Sequence, residues 1–270
     1  MSEIKIMTLS EADLGKIQMF CGHSPTYQSG YNAKLDWMQK RLREGMRYTL
    51  LQVQGRNAGM IEYLPGEYAW RGVEARGYLF IHCLWVIGRN RKHGYGRMLL
   101  ESCLEDARGT HGVAVAVSKT HWLPTPKLFL KNGFELADHT VPAFDLLVKR
   151  LDLDAPLPRF KRTNLAAPPG LSLYHSDQCP YAQNTVSIVT KVGEQMKIPV
   201  NIIHVDSAKA AQEVPCHYGT LAYFHNGELL TYHPTGTEKV MEMLRLKSAK
   251  QEMKVSSSSP SSDGRNPEAT

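Results

Sequence analysis

The sequence predicts an α/β (α+β) chain, a mixed central sheet flanked by helices and followed by a smaller second domain of the same class. Three observations carry this. The apolar run Phe80–Val86, F-I-H-C-L-W-V, leads through a loop dense in glycine and positive charge into Met98, Leu99 and Leu100, which open an amphipathic helix. Strand-like runs and segments of helical period alternate on either side of it. A proline-rich stretch without periodicity, residues 152–170, divides the chain.

At 270 residues there is room for two cores, and 42% hydrophobic with 21% charged residues describes a globular protein. No apolar run reaches the roughly 20 residues of a membrane span. The start, M-S-E-I-K-I-M-T-L-S, lacks the charged and apolar regions of a secretory signal, so the expectation is a cytoplasmic location and no membrane partner. Five scattered cysteines without close pairs point to reduced thiols and give no metal-site pattern. The net charge of +6 could attract nucleic acid, but no motif or aromatic-basic stripe accompanies it, and an anionic cofactor explains part of the excess.

In chain order, Ile4–Leu9 reads as a strand, with a helix starting at Ser10 because Glu11 and Asp13 complement its dipole. Leu35, Met38 and Leu42 set a helix over about Tyr31–Glu44, ended by Gly45. Arg47–Val53 and Ala58–Leu64 flank G-R-N, a hairpin signal. Gly77–Val86 is the central buried strand and Tyr95 to about Ala107 the helix after the loop. Val113–Val117 and Phe144–Leu151 are further strands, with L-F-L-K-N-G-F between them. Beyond the linker come a strand at Leu171–His175, a helix to about Met196 and a strand at Val200–Val205. An Asn-Gly hairpin and a helix at Thr237–Leu246 follow, and a serine-rich tail, 248–270, is expected to be disordered.

The central loop, R-K-H-G-Y-G, resembles the acyl-CoA pyrophosphate loop of the GNAT N-acetyltransferases, and L-W-V before it takes the place of their bulged, cofactor-binding strand. L-F-L-K-N-G-F is similar to that family's Leu-Tyr-x-x-x-Gly-Phe. The second half, with C-P-Y-A and G-T-L-A-Y-F-H-N-G-E, resembles a thioredoxin-like domain, more narrowly the YoaP-like domain found behind some GNAT domains. The resemblance implies a GNAT domain at 1–151, a linker at 152–170 and a YoaP-like domain at 171–247. It also implies an N-acetyltransferase that uses acetyl-CoA as acyl donor. Main-chain groups of Leu84, Trp85 and Val86 would pair with the pantetheine arm. Arg91 opens the motif, and Lys92, His93, Gly94, Tyr95, Gly96 and Arg97 would cradle the pyrophosphate, where glycine backbone and a helix N-terminus favour anions. The partners implied are acetyl-CoA and an amine-bearing acceptor, with a homodimer compatible.

The tyrosine that protonates the CoA sulfur in many relatives is Phe129 here, and a phenyl ring donates no proton. His82 and His121 are the candidate bases, since a neutral imidazole suits proton removal near neutral pH. Cys179, at a helix start, is a candidate reactive thiol. Its segment lacks a resolving cysteine, and Gly219 stands where thioredoxin-like proteins place a cis-proline. Two function classes follow, an acyl-CoA-dependent N-acetyltransferase working by direct attack and a thiol-dependent redox or adaptor protein on an acyl-CoA-binding scaffold.

Overall fold

The computed structural model describes residues 3–118, 123–141, 144–162 and 165–257. Strand β1 (Ile4–Thr8) is followed by a single 3-10 turn, Glu11–Asp13, capped by Ser10, whose N–H and hydroxyl both donate to Asp13 Oδ2. The helix expected from Ser10 goes no further because Leu14 is extended and Gly15 takes φ +77°. Helix α1 (Gln28–Arg43) buries Lys34, Trp37 and Met38 and stops before Gly45.

Strands β2 (Arg47–Val53) and β3 (Arg56–Pro65) meet at Gln54–Gly55, both with positive φ. That pair sets the right twist for a two-residue hairpin and moves the turn slightly ahead of G-R-N. The short β4 (Val73–Glu74) precedes β5 (Tyr78–Val86), α2 (Tyr95–Asp106) and β6 (Gly112–Ser118). Then come α3 (Pro126–Lys131), β7 (Glu135–Thr140) and β8 (Phe144–Arg150). The seven-stranded sheet has the order β1-β2-β3-β5-β6-β8-β7 and is antiparallel except for β5 and β6, which α2 joins as a parallel crossover.

The proline-rich segment is tied down. Its β9 (Arg159–Phe160) pairs with β4, and the Phe160 N–H donates to Asp138 Oδ2 at 2.8 Å. A second sheet, ordered β11-β10-β12-β13, follows. It consists of β10 (Leu171–His175), β11 (Val200–His204), β12 (Leu221–His225) and β13 (Glu228–Thr231). Helices α4 (Gln183–Met196), α5 (Ala208–Glu213) and α6 (Thr237–Ser257) complete it. The segment from Ser248, expected to be disordered, continues α6 to Ser257, because K-S-A-K-Q-E-M-K is rich in good helix formers.

One face of the large sheet packs on α2 and α3 around Ile61, Ile81, Leu99 and Phe129. The other face shares a core with the second sheet that runs from Trp37 and Trp70 through Phe144 and Phe160 to Leu173 and Tyr223. The approach there is close. Gly30 of α1 lies so near Pro180 that a Cβ would stand 1.9 Å from its carbonyl oxygen. Gly219, at φ +72°, would put one 2.7 Å from the Trp70 oxygen, which explains glycine at that position.

Candidate active site

The site is built by a fault in β5. On β3, Glu62 pairs with Cys83 but Tyr63 pairs with Ile81, so His82 is the extra residue of a β-bulge. The bulge flips the alternation of side chains. Tyr78 and Phe80 belong to the shared core, Cys83 joins the same face, and Leu84 and Val86 turn to the other. His82, Cys83 and Trp85 therefore line one cleft of about 440 Å³ between the two sheets, a size suited to a small ligand.

Strand β6 pairs with β5 only as far as Ile81 and Val115. Beyond that point the two strands part, and residues 82–86 have no partner strand on the β6 side among the described residues. Two arginines hold carbonyls at either end of this stretch. Arg71 Nη2 donates to the His82 oxygen at 3.1 Å, and Arg91 Nε to the Val86 oxygen at 3.4 Å. The open edge between them offers backbone groups to an added extended chain.

At the end of β5 the loop turns through Lys92 (φ +68°) and Gly94 (φ +81°), and α2 begins. Nothing lies within 4 Å of where a Gly94 Cβ would sit, so the space over the helix end is free for a ligand. The Arg97 and Met98 N–H groups bond back to the Gly94 oxygen. The first-turn N–H groups before them have no intrahelical acceptor and point outward with the positive end of the helix dipole. His93 stacks on Tyr95, with centroids 5.6 Å apart, and the Arg91 guanidinium lies over Trp85 at 5.4 Å. Arg97 is paired with Glu101 at 2.8 Å, so its charge is partly neutralised, and Gly96 packs against Leu128.

The floor of the cleft holds a buried polar cluster. Lys34 and Glu62 form an ion pair with 5% and 1% side-chain exposure, and the ammonium lies 4.3 Å from the Trp37 ring centroid. Glu62 Oε1 also accepts from Gln178 Nε2 at 2.9 Å and from His82 Nδ1 at 3.2 Å. Burial works to raise the Glu62 carboxyl, but the Lys34 charge and the His82 hydrogen bond outweigh it and hold it at about 2. The same burial lowers the His82 imidazole to about 4, against the pull of Glu62. The cluster at neutral pH is thus a carboxylate, an ammonium and a neutral imidazole.

These contacts change what His82 can do. The Trp70 N–H donates to His82 Nε2 at 2.9 Å, which fixes the proton on Nδ1, facing Glu62. As placed here, the His82 imidazole has its lone pair engaged, no exposed side-chain surface and its Nδ1 turned to Glu62, which does not favour the expected role as base. His121 lies outside the described residues. Phe129 is fully buried, edge-on to Phe134, on the far side of the sheet from the cleft.

Cys179 lines the cleft with Cys21 and Cys83, but its chemistry runs against the expected reactivity. It precedes α4 by several residues, and burial raises its thiol instead of lowering it. Burial likewise pushes Cys83 up to about 12 and raises Cys21. All five cysteines are free thiols. Among the described residues no group of three or more His, Cys, Asp and Glu side chains is placed to hold a metal ion, and no helix is long and apolar enough to cross a membrane.

The second sheet completes the cleft. The loops after β10 and before β12 supply Gln178, Cys179, Pro180, Tyr181 and Tyr218, and Arg71 reaches across to Thr220 Oγ1 at 3.2 Å with its guanidinium 4.3 Å from the Tyr218 ring centroid. Lys34, Glu62, Arg71 and Gln178 were not among the residues the sequence singled out. One signal was available, since Glu62 in M-I-E-Y-L is a lone charge inside an apolar strand, and Lys34 sits one turn before Met38 on the buried stripe of α1.

Residues 14–134 match the Acetyltransferase (GNAT) family, and residues 199–241 match a family described as YoaP-like. Over 225 residues the chain is 28% identical to the "Uncharacterized N-acetyltransferase YoaP" of Bacillus subtilis (strain 168), covering 81% of this chain and 89% of that protein. It is similar to the solved ribosomal-protein-alanine N-acetyltransferase from Brucella melitensis, at 20% identity and a TM-score of 0.42, over 54% of this chain and 99% of that one. A paia N-acetyltransferase from Thermoplasma acidophilum in complex with coenzyme A is similar at 16% identity and a TM-score of 0.40, over 55% and 99% of the two chains. The chain carries a GNAT-family acetyltransferase domain and, behind it, a YoaP-like region.

Proposed function

We propose that the protein transfers the acetyl group of acetyl-CoA to a primary amine bound in the cleft between its two sheets. The observation that carries this is the parting of β5 from β6 beside a glycine-opened helix end, next to a buried carboxylate. The pyrophosphate rests on the loop from Arg91 to Arg97, and the pantetheine lies along the open edge at Leu84, Trp85 and Val86. The thioester then reaches the cleft near Cys83. Binding both reactants in one cleft supplies most of the advantage, by removing the entropy of their encounter.

The amine attacks the thioester carbonyl directly, so that a C–N bond forms and the C–S bond breaks. Nitrogen acquires positive charge in the tetrahedral species and becomes far more acidic than a free ammonium. Glu62, held in place by His82, Lys34 and Gln178, stabilises that charge as a fixed carboxylate, and the proton passes to water. With phenylalanine at position 129, the thiolate leaves without a tyrosine acid and takes its proton from water. The match of residues 14–134 to the GNAT family supports the donor assignment.

The test is amine-dependent release of the CoA thiol from acetyl-CoA by the full chain, with the acetylated amine identified by mass spectrometry. Gly94→Glu, which sets a carboxylate where the pyrophosphate rests, is expected to abolish release while lowering the thermal midpoint by only a few degrees, the cost of a side chain at φ +81°. Full activity in that variant, or no amine-dependent release with any amine, would reject the reading. The thiol-redox alternative predicts instead that Cys179→Ser is the damaging change, and the raised Cys179 thiol argues against it.

A further inference from the structure

Two groups on the cleft floor lack the partners their chemistry demands. Arg71 is 2% exposed, and its three hydrogen bonds all go to neutral oxygens: the Trp70 carbonyl at 2.8 Å, Thr220 Oγ1 at 3.2 Å and the His82 carbonyl at 3.1 Å. Among the described residues no carboxylate lies within ion-pair distance of it, and Glu62, the nearby anion, is already taken by Lys34. With His82 neutral, the floor carries two cations and one anion. The Tyr218 ring face offsets part of the excess, yet a buried guanidinium without an anion remains costly. The second group is Gln178. A carboxylate only accepts, so the Gln178 amide must turn its NH2 to Glu62, which leaves its buried Oε1 without any hydrogen-bond partner.

One ligand meets both demands. We infer that the acetyl acceptor is a small amino carboxylate, of amino acid type, with an apolar side chain. Its carboxylate pairs with Arg71, and its amine donates to Gln178 Oε1 beside Glu62. The apolar side chain lies against Phe20, Met60, Leu123 and Tyr181, which make up much of the wall. The volume of about 440 Å³ admits a free amino acid. This inference rests on the acetyltransferase reading and names the substrate class of the same site. The C-terminal sheet then has a stated role, since Gln178 and Tyr218 make it part of the acceptor seat.

The experiment compares matched pairs, leucine with isoamylamine and phenylalanine with phenethylamine, as acceptors for the full chain at saturating acetyl-CoA. The expected ratio of kcat/KM is about 100-fold or more in favour of the amino acid, the scale for losing one partner of a buried charge pair. Arg71→Met is expected to bring the ratio close to one. A ratio is read so that partial loss of folded enzyme does not affect it. Independently of any variant, 3-phenylpropionate, which has the carboxylate without the amine, is expected to raise the melting temperature of the wild-type protein. Equal use of the amines, turnover of amines alone, a preference unchanged in Arg71→Met, or no shift with 3-phenylpropionate would overturn the inference while leaving acetyl transfer intact. Failure to bind acetyl-CoA would bring down the acetyltransferase reading itself.

Discussion

Glu62→Gln is the substitution whose effect follows most directly from the structure. Glu62 and Lys34 are both nearly inaccessible, at 1% and 4% exposure, and beyond Glu62 the ammonium lies near the faces of Trp37 and Tyr48. Replacing the carboxylate by an amide keeps the volume and leaves Lys34 buried without a counter-ion, which costs about 3–5 kcal/mol. For a chain of this size that lowers the melting temperature by on the order of 10 °C. Urea unfolding near neutral pH, followed by tryptophan fluorescence, reads it well because Trp37 lies against Lys34. Adding Lys34→Met is expected to restore most of the loss, since the unpaired charge goes with it. A single variant within about 1 kcal/mol of wild type, or a double variant no better than the single, would refute the account of the cluster.

Because His82 stays neutral down to about pH 4, kcat/KM is expected to rise with the acceptor's own ionisation and to show no inflection near pH 6.5. An inflection there that vanishes in His82→Gln would restore His82 as the base. The same depressed imidazole makes stability pH-dependent. The native state resists the proton that the unfolded chain takes up below about 6.5, so the His82 contribution is full above 6.5, falls between 6.5 and 4 and levels below, while that of Glu62, held at about 2 against an ordinary 4.5, is lost between 4.5 and 2. For His82 alone this amounts to about 3 kcal/mol, His175 adds to the same window, and melting against pH in His82→Gln should show a shallower slope. Gly30→Ala drives a Cβ into the Pro180 carbonyl, so it should cost about 1–3 kcal/mol and depress turnover further by moving the cleft wall. Unaltered stability and turnover would mean the two sheets are not held as described.

The donor side of the site was legible in the sequence because its signals are local. A buried strand, a glycine-rich basic turn and a helix start fall within Phe80–Leu100, and each leaves a mark on adjacent residues. The acceptor side was not, since Lys34, Glu62, Arg71 and Gln178 come from four separate segments and meet only through packing between the sheets. Likewise, His82 reads as a free imidazole until the register of β3 and β5 reveals the bulge and the Trp70 N–H reveals its engaged lone pair. The burial of Cys179 is hidden from the sequence for a related reason. A helix start lowers a thiol pKa only where water or charge can reach it, and here burial has the larger effect. The proline-rich segment gave no periodicity because, among its described residues, only Arg159 and Phe160 enter a strand.

Calorimetric titration of the full chain with acetyl-CoA tests the central claim most directly. The expected result is one site per chain, weakened more than tenfold by Gly94→Glu, because a like charge a few ångströms from the pyrophosphate costs on the order of 1–4 kcal/mol. No heat of binding to the wild-type protein, or equal affinity in the variant, would contradict it.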